Sequence, residues 1–361
     1  MKAKSIAQLA VALLLATINS QLSTAFAQGS LTPPGAPAPT MKSLDQIEAR
    51  TPISSVPFTI ASPGSYYLTT NLTVSSGNAI TIATNNVTLN LNGFTIASTT
   101  PSAAGTGVLL AGGNANIAIL NGFITGGVTN NGSVYGGSGF GYGIFYSGNN
   151  PSNLRVSHIS VSGCLNDGIS LYNISSTIVE SCTVNTVGGT GIYAQSVSDC
   201  SAINCGNYGI NSYTALNCAD FFIAGIGINT VTANNCYGYS SNSYGLYAST
   251  ANNCRGYSVN GIGISAGNAN NCIGSSISSN GLRATTATTC SGLSTTGTGL
   301  SVTMANFCYG QSSSGTGMVA NVATSCYGYS SSSLGLSANI ANSCIGSGSP
   351  AMIVTNKYNM P

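Results

Sequence analysis

Residues 236–254 read CYGYSSNSYGLYASTANNC, and this stretch decides the fold. One cysteine opens it, another closes it 18 residues later, and a Gly-Leu pair stands halfway between them. The cysteine recurs at this interval ten times: Cys182, Cys200, Cys218, Cys236, Cys254, Cys272, Cys290, Cys308, Cys326 and Cys344. Nine residues after each of the first nine comes a glycine followed by an aliphatic residue: Gly191-Ile192, Gly209-Ile210, Gly227-Ile228, Gly245-Leu246, Gly263-Ile264, Gly281-Leu282, Gly299-Leu300, Gly317-Met318 and Gly335-Leu336. Two signals in one register over nine periods predict a repeat architecture.

Each repeat has the pattern of short strands. It reads C-x-G-x-S-x4-G-[ILM]-x-A-x2-A-[NT]-x, in which small or apolar residues alternate with variable ones. Two glycines in every 18 residues disfavour helices. Because such short strands bury a face only by stacking on their copies, we predict an all-β fold, a single parallel β-helix (a solenoid). The cysteine, the glycines, the aliphatic residue and the two alanines should point into a slim core.

The same pattern of Gly-aliphatic pairs continues upstream, where the rungs are longer. Gly168-Ile169 precedes Gly191-Ile192 by 23 residues, Gly143-Ile144 lies 25 earlier, and Gly107-Val108 lies another 36 earlier. Counting such pairs predicts about fourteen rungs. The glycine-rich residues 126–143 (GGVTNNGSVYGGSGFGYG) should form a loop that leaves the solenoid. Cys164 and Cys205 each lie four residues before a Gly-Ile pair, so they should form a row separate from the main cysteine row.

The two ends of the chain differ from the repeat. Residues 1–27 combine Lys2 and Lys4, an apolar run and an Ala-Phe-Ala cleavage site, which predicts a signal peptide and a secreted or cell-surface protein. Residues 28–42 are rich in Pro and Gly and read as a linker. The β-helix should then occupy 43–361, with an N-terminal cap near 43–50 and a closing segment near 351–361.

The composition narrows the range of partners. Only 4% of the residues are charged, against roughly 25% in ordinary globular proteins. Without a basic face to neutralise phosphates, nucleic acid is not an expected partner. No segment after the signal approaches 18 uninterrupted apolar residues, so no membrane span is expected in the mature chain.

Two segments carry a family resemblance. Asn78–Ile96 (NAITIATNNVTLNLNGFTI), followed by NIAILNGFITGG and the later rungs, resembles right-handed parallel β-helix repeat proteins of the pectin-lyase-like superfamily. Thr51–Val74 looks like the opening segment of a group of secreted, mostly uncharacterised bacterial members. The resemblance implies a right-handed helix but no single activity, because the superfamily mixes lyases, hydrolases, epimerases, tailspikes and adhesins.

The resemblance also implies what a catalytic member would need. Lyase members bind Ca²⁺ with several acidic residues and use an Arg or Lys as base, whereas hydrolase members use paired Asp as acid and base. This sequence has no Asn-Thr-Asp, Asp-Asp or Gly-His-Gly block. That argues against an enzyme, so no cofactor is expected, and calcium enters only under the enzymatic alternative.

The few charged residues nevertheless gather at one corner. Alignment of the rungs puts His158 level with Ser181 and with Asp199, with Glu180 in the neighbouring column and Arg155 three residues before His158. Such a group over three rungs spans about 10 Å and would suit acid–base catalysis or a cation. The alternative interpretation is a solvated corner with loosely paired charges.

The cysteine row has three interpretations. Cysteine is a small, readily buried side chain that fits a slim core as a free thiol. Stacked Cα atoms about 4.8 Å apart also lie within disulfide range, and an exported chain meets oxidants. A thiolate row could hold a soft metal, but no CxxC or Cys/His clustering supports a metal site.

Tyrosines and asparagines form further columns. The variable positions of C-x-G-x-S should face outward and hold Tyr237, Tyr239, Tyr257, Tyr309, Tyr327 and Tyr329. These rings would suit stacking on sugars, or they would stabilise the sheet as ladder contacts. The Asn pairs 234/235, 252/253 and 270/271 should form a hydrogen-bonded ladder at a corner.

Three functions remain open at this point. The first is an exported, non-catalytic solenoid in cell-surface adhesion, scaffolding or glycan binding, whose partner is a polysaccharide or cell-surface glycan. The second is a carbohydrate-active enzyme, a polysaccharide lyase or uronate epimerase acting at the corner of His158, Glu180, Asp199 and Arg155. The third, more remote, is ice binding, although no outward column holds threonine consistently.

Overall fold

The structure is a computed structural model and describes residues 49–132, 134–172 and 176–359. The predicted signal peptide (1–27), the predicted linker (28–42) and residues 43–48 of the predicted cap lie outside the described residues. Arg50–Pro361 form one compact unit. Within the described part of this unit the regular elements are β-strands.

The strands vary from two to thirteen residues up to β22, and from β23 to β35 they alternate between seven and four residues. The first twelve are β1 (Thr51–Ile53), β2 (Phe58–Ile60), β3 (Gly64–Leu68), β4 (Leu72–Val74), β5 (Ile80–Ile82), β6 (Val87–Asn90), β7 (Thr95–Ser98), β8 (Thr106–Leu110), β9 (Ala115–Thr125), β10 (Gly127–Asn130), β11 (Tyr135–Ser138) and β12 (Tyr142–Tyr146). The next ten are β13 (Ser152–Cys164), β14 (Ile169–Tyr172), β15 (Thr177–Glu180), β16 (Thr183–Val187), β17 (Ile192–Ala194), β18 (Ser196–Ser198), β19 (Ser201–Cys205), β20 (Ile210–Asn211), β21 (Thr214–Leu216) and β22 (Ala219–Phe221). The last fifteen are β23 (Ile228–Asn234), β24 (Tyr237–Ser240), β25 (Leu246–Asn252), β26 (Arg255–Ser258), β27 (Ile264–Asn270), β28 (Ile273–Ser276), β29 (Leu282–Thr288), β30 (Ser291–Ser294), β31 (Leu300–Asn306), β32 (Tyr309–Ser312), β33 (Met318–Thr324), β34 (Tyr327–Ser330), β35 (Leu336–Asn342), β36 (Ile345–Ser347) and β37 (Met352–Tyr358).

Each turn of the chain adds one strand to each of three parallel stacks, which we name sheets A, B and C in the order in which a rung meets them. Sheet A starts at the Gly-aliphatic pair, sheet B contains the second alanine, and sheet C contains C-x-G-x-S. In the regular half one seven-residue strand bends from sheet A into sheet B, as β25 does when it pairs with β27. The four-residue strands form sheet C, where Tyr239 pairs with Tyr257. These registers confirm the all-β parallel β-helix.

The registers also confirm the irregular upstream periods. Ile192 pairs with Ile169, Ile169 with Ile144, and Ile144 with Val108, which are the predicted steps of 23, 25 and 36 residues. In the described chain sheet A has fifteen strands, from β2 to β37, against the predicted fourteen rungs. Cys164 pairs with Val187 and Val187 with Cys205, so these two cysteines do form a separate row.

The core of the regular half is so slim that sheets A and C meet backbone to backbone. A Cβ placed on Gly274 of sheet C would lie 2.2 Å from the carbonyl oxygen of Gly281, the glycine that opens sheet A. The neighbouring rungs repeat this geometry, since a Cβ on Gly292 would lie 2.2 Å from Gly299 O. No side chain fits at these positions, which is why glycine recurs at both in each rung.

The recurring serine of the regular rungs, from Ser240 to Ser330, closes the corner between sheets C and A. The buried Ser276 hydroxyl donates to Gly261 O of the preceding rung at 2.7 Å and accepts from Ser279 N of its own rung at 2.9 Å. Ser258 and Ser294 do the same one rung before and after. Each hydroxyl therefore satisfies two buried backbone groups and ties successive rungs together.

The corner between sheets B and C is a single residue in the left-handed region. Thirteen residues of this column have φ between 49° and 56°: Asn121, His158, Ser181, Asp199, Asn217, Asn235, Asn253, Asn271, Thr289, Phe307, Ser325, Ser343 and Asn359. Asparagine tolerates this conformation better than most residues, which accounts for its frequency here. The predicted ladder is confirmed: Asn252 Nδ2 donates to Asn234 Oδ1 at 2.9 Å, and Asn271 Nδ2 to Asn253 Oδ1 at 2.8 Å.

Two segments depart from the simple prediction. Most of residues 126–143 leave the solenoid, but as an antiparallel hairpin of β10 and β11 rather than as an irregular loop. Tyr142 and Gly143, at the end of this stretch, already belong to β12 in sheet A. The hairpin is pinned to sheet C, because Asn130 Nδ2 and the Tyr135 hydroxyl both donate to Asn204 Oδ1, at 2.7 and 3.0 Å. In the predicted closing segment near 351–361, Met352–Tyr358 pairs in parallel with β35 as one more strand, with a period of 16 instead of 18.

The glycine contact between sheets A and C predicts a large stability loss on the smallest possible substitution. We expect Gly274→Ala to lower the free energy of unfolding by about 2–4 kcal/mol, because backbone on both sides must move to admit the methyl group. Gly136→Ala in the hairpin is the matched control, since a Cβ there meets nothing within 4 Å. Urea denaturation of both variants checks this; equal midpoints for the two would contradict the backbone contact.

Candidate functional site

The predicted corner group lies on the outer surface of the B–C corner. Ser157 pairs with Glu180 and Glu180 with Ser198, so His158, Ser181 and Asp199 share the next column, as the alignment predicted. Arg155 Nη1 lies 3.3 Å from Glu180 Oε1, and half of the arginine side chain is exposed. Asp199 Oδ1 accepts from Asn217 Nδ2 at 3.0 Å, in continuation of the asparagine ladder. A catalytic role for these four residues stays a prediction.

The cysteines are free and buried throughout the two rows. In the main row each thiol donates to the carbonyl two residues before it, as Cys272 does to Asn270 O at 3.2 Å. Burial raises the pKa of the Cys164 thiol to about 12. The neighbouring thiol one rung earlier, together with burial, raises the pKa of Cys290 to about 11. The pKa values of Cys182 and Cys218 are instead lowered, each by a hydrogen bond with the next cysteine of the row. These two thiols are buried like the others, so the rows are best interpreted as core packing.

Among the described residues, no group of three or more His, Cys, Asp or Glu side chains is placed to hold a metal ion. The described residues also contain no helix with the length and apolar character of a membrane span.

The six predicted tyrosines form two groups rather than one continuous stripe. Tyr237, Tyr239 and Tyr257 lie together, and Tyr309, Tyr327 and Tyr329 lie further along sheet C; the two intervening rungs carry Ile273, Ser275, Ser291 and Leu293 in the same columns. Stacked pairs occur within each group: the Tyr239 and Tyr257 rings are 5.3 Å apart and the Tyr309 and Tyr327 rings 5.6 Å apart. Rings stacked in this way cover each other's faces, which supports a ladder role for these tyrosines.

The first tyrosine group adjoins a step in the cross-section of the solenoid. The sheet C strands β16 and β19 have five residues, with Cys205 at the inward end of β19. The sheet C strands from β24 to β34 have four, with Ser240 at the end of β24. Between the two widths, Ala219 pairs with Tyr237 but Ile223 bridges Ser240, so β22 carries one extra residue. The bulge is at Phe222, whose φ is +58°.

The bulge turns two consecutive phenylalanine rings outward. Phe221 is 39% exposed and Phe222 is 66% exposed. The Phe221 ring lies 5.2 Å from that of Tyr237, and the Phe222 ring 5.5 Å from that of Tyr239. With Tyr257 they form one cluster of five aromatic side chains, which we name the platform: Phe221, Phe222, Tyr237, Tyr239 and Tyr257.

A buried carboxyl group supports the platform from inside the core. Asp220 is fully buried, and its Oδ1 accepts from the backbone N–H of Tyr239 at 2.6 Å. That N–H is the group that the bulge removes from the regular ladder. Two facing glycines make room, since a Cβ on Gly209 would lie 2.8 Å from the Asp220 Cβ and one on Gly227 would lie 2.6 Å from Oδ1. Asp220 thus replaces the missing backbone acceptor.

The second carboxyl oxygen of Asp220 has no hydrogen-bond partner among the described residues. Burial raises the pKa of this carboxyl well above its usual value, and the bond from Tyr239 N–H opposes part of that rise. The Asp220 side chain is therefore held neutral over a wider pH range than an exposed aspartate.

Sequence reasoning missed Phe221, Phe222 and the burial of Asp220. The signal was present, because Cys218-Ala-Asp-Phe-Phe departs from C-x-G-x-S by an aspartate in the glycine position and a phenylalanine in the serine position. The rungs of Cys182 and Cys200 depart at the same two positions, and the glycine and serine first occur together in the rung of Cys236. The start of the full consensus at Cys236 therefore marks the change in cross-section.

Comparisons with known proteins add little to this geometry. No family model and no curated protein match the sequence. The chain is similar to two solved phage structures. The Dettilon tailspike protein is 13% identical, with 86% of this chain and 60% of that chain covered and a TM-score of 0.33. The enzymatically active domain of tailspike protein 2 of bacteriophage CBA120 is 15% identical, with 72% and 38% covered and a TM-score of 0.28.

The chain spans less than two thirds of the length of either phage chain. At these TM-scores the likeness carries no argument, and the fold rests on the pairing registers alone.

The buried carboxyl predicts a pH-dependent stability. The pKa of Asp220 is higher in the folded than in the unfolded chain. The contribution of the protonated carboxyl to the free energy of unfolding is therefore fully present below the unfolded-state pKa of about 3.9, and it is lost as pH rises through the folded-state pKa. Asp220→Asn keeps an oxygen for Tyr239 N–H and does not titrate. We therefore expect this variant to gain stability relative to the wild type as pH rises above about 4, by up to about 1.4 kcal/mol per pH unit until the pH passes the folded-state pKa.

Urea denaturation of both proteins at each pH measures the difference. Asp199→Asn, at the exposed corner, is the matched control for loss of a carboxylate. A wild-type minus Asp220→Asn difference that stays constant from pH 4 to 8 would contradict the buried, neutral carboxyl.

Proposed function

We propose that this chain is an exported, non-catalytic β-helix protein that binds a glycan through the platform, in cell-surface adhesion or scaffolding. Membership of the right-handed, pectin-lyase-like superfamily belongs to the same proposal. It is supported by the parallel register of successive rungs and by the resemblance of Asn78–Ile96. Export is supported by the predicted signal peptide.

The observation that carries the proposal is the exposed ring of Phe222 within a contiguous aromatic cluster. A 66% exposed phenylalanine beside four further aromatic side chains is an apolar patch that water does not favour. The faces of sugar rings are apolar and flat, and they pack against aromatic side chains of this kind. The tyrosines of the platform add hydroxyl groups that can hydrogen-bond to sugar hydroxyls.

The surroundings of the platform fit a glycan better than a protein core. On the side of the preceding rungs the platform adjoins neutral amide and hydroxyl side chains, with Asn204 and Thr186 in the same bulge column. On the side of the following rung the exposed Arg255 pairs with Tyr237. Asn204 Nδ2 donates to Thr186 Oγ1 at 3.1 Å. The hairpin of β10 and β11 stands at that end, and with sheet C it lines a hollow of about 410 Å³. A saccharide chain lying along sheet C would meet the hairpin wall, the amides and then the platform.

The enzymatic alternative has one observation in its favour, the Arg155–Glu180 ion pair beside His158. The pair is solvent-exposed, with half of the arginine side chain and a third of the glutamate side chain accessible. An exposed pair contributes little to stability, so it is not required for folding. The neighbouring hollow holds about 190 Å³ and is lined by Thr88, Asn116 and Asn153 besides Arg155. Catalysis there would give product release that is lost on Glu180→Gln.

The platform predicts glycan retention that depends on Phe222. We expect the purified protein to be retarded by at least one polysaccharide in native affinity gels, and Phe222→Ala to weaken that affinity about fivefold or more through loss of ring stacking. Phe307→Ala is the matched control, because Phe307 is also 66% exposed with a left-handed φ but lies alone on the B–C corner.

Two results would overturn the proposal. Equal losses for Phe222→Ala and Phe307→Ala would remove the platform as the binding site. Cleavage of a retained polysaccharide by the wild type, abolished in Glu180→Gln, would replace binding with the enzymatic alternative.

A further inference from the structure

A third hollow lies away from the platform, on the outside of the bend from sheet A into sheet B. It holds about 600 Å³ and spans four rungs, from Tyr247 to Thr303. The outward column of sheet A alternates large and small side chains here: Tyr247, Ser265, Arg283 and Ser301. At the bend, Gly267 replaces the Ser249 and Thr285 of its neighbours, and a Cβ on it would lie 2.7 Å from Ser249 O. The hollow exists because one rung carries small residues between two large ones.

Arg283 is a cation without an acidic neighbour. Its Nη2 donates to Ser265 Oγ at 3.4 Å, and Ser265 is 95% buried at the floor of the hollow, with 5% of its surface exposed. From residue 221 to 361 the sequence contains no aspartate or glutamate at all. The guanidinium therefore faces the hollow with most of its five N–H groups available.

Hydroxyl groups converge on the same hollow. Ser249, Thr285, Ser301 and Thr303 line it together with Ser265 and Arg283. The hydroxyls of Ser249, Thr285, Ser301 and Thr303 make no hydrogen bond to the described protein, whereas those of Ser314 and Ser332 on the C–A corner bond to backbone carbonyls. A hydroxyl group can rotate to donate to an acceptor, so these four groups are available as hydrogen-bond donors to a ligand beside Arg283.

We propose that this hollow binds a tetrahedral oxyanion, the phosphate or sulfate ester of a ring-bearing molecule. A guanidinium donates two parallel hydrogen bonds to such an ester, and the remaining oxygens need the further donors that the serines and threonines supply. The volume exceeds that of one ester group. Tyr247, 45% exposed at the other end of the hollow, offers its ring to the body of the ligand. The site is on a different sheet from the platform, and it does not depend on the proposed function.

The test titrates the full-length protein with glucose 6-phosphate and, separately, with glucose 6-sulfate, and follows the backbone amide resonances by NMR. Both esters should shift the signals of Ser265, Gly267 and Thr285 at millimolar concentrations, and glucose itself should not. Arg283→Gln should weaken the affinity about tenfold or more, since it removes the charge. Arg283→Lys keeps the positive charge but cannot donate two parallel hydrogen bonds, so it should lose less affinity than Arg283→Gln. Added salt should weaken binding in the wild type.

Arg255→Gln removes another exposed arginine, on sheet C, and is the matched control; it should leave the titration unchanged, as should Phe222→Ala. A response to only one of the two esters identifies which source of oxyanion the hollow selects and supports the proposal. Three results would overturn it: no shift with either ester up to about 20 mM, well above the dissociation constant of a weak contact; equal shifts with glucose; or equal losses for Arg283→Gln and Arg255→Gln. Dispersed spectra of each variant establish that it is folded.

Discussion

The structure depends on the close approach of two backbones across the core, where the glycine of C-x-G-x-S in sheet C meets the glycine that opens sheet A. That contact, 2.2 Å from a hypothetical Cβ to the facing carbonyl oxygen at Gly274, sets the width of a rung. Most other inward positions are then small, which accounts for cysteine, serine and alanine in the core, and the aliphatic residue that follows the sheet A glycine is the one large inward side chain of the repeat. With so narrow an interior, stability comes from the repetition of identical contacts and not from one large core.

Such a constraint divides the residues of a rung into two classes. Inward positions repeat because each rung must match the rung beneath it, whereas outward positions are free to vary. The two surface features that we assign arise where outward columns vary most: the aromatic rings beside the step at Phe222, and the hollow around Gly267 and Arg283. The step itself needs a substitute for one backbone acceptor, which the buried Asp220 carboxyl provides. At this step, a change in strand length is therefore accompanied by a side chain that replaces the lost backbone hydrogen-bond acceptor.

The period of 18 made most of the fold predictable. The inward columns, the asparagine corner and the separate row of Cys164 and Cys205 all followed from alignment of the rungs, because a parallel stack places equivalent residues in register. The site was less predictable. The prediction that the six tyrosines face outward on sheet C was correct. Their division into two groups depends on the non-aromatic residues Ile273, Ser275, Ser291 and Leu293 in the same columns, which the sequence analysis did not consider.

Asp220 and Phe222 escaped the alignment for a physical reason. Their roles arise from one extra residue at the end of β22. A consensus built on a fixed period of 18 residues cannot show that one strand of a rung is longer when another part of the same rung is shorter. From sequence alone an aspartate is expected to be exposed and charged, whereas the position of Asp220 inside the core makes it an uncharged acceptor. The hollow at Arg283 likewise depends on side-chain volumes in three successive rungs and not on any motif.

Small-angle X-ray scattering can test the central claim, which is that each additional 18 residues lengthen the solenoid and leave its cross-section unchanged. In a variant that duplicates three whole rungs, Arg255–Cys308, the maximum dimension should increase by about 14 Å, three strand spacings of about 4.8 Å, while the cross-sectional radius of gyration stays the same. An unchanged maximum dimension with a larger cross-section would show that the added residues join a common core, and it would contradict the stacked rungs on which the rest of the account depends.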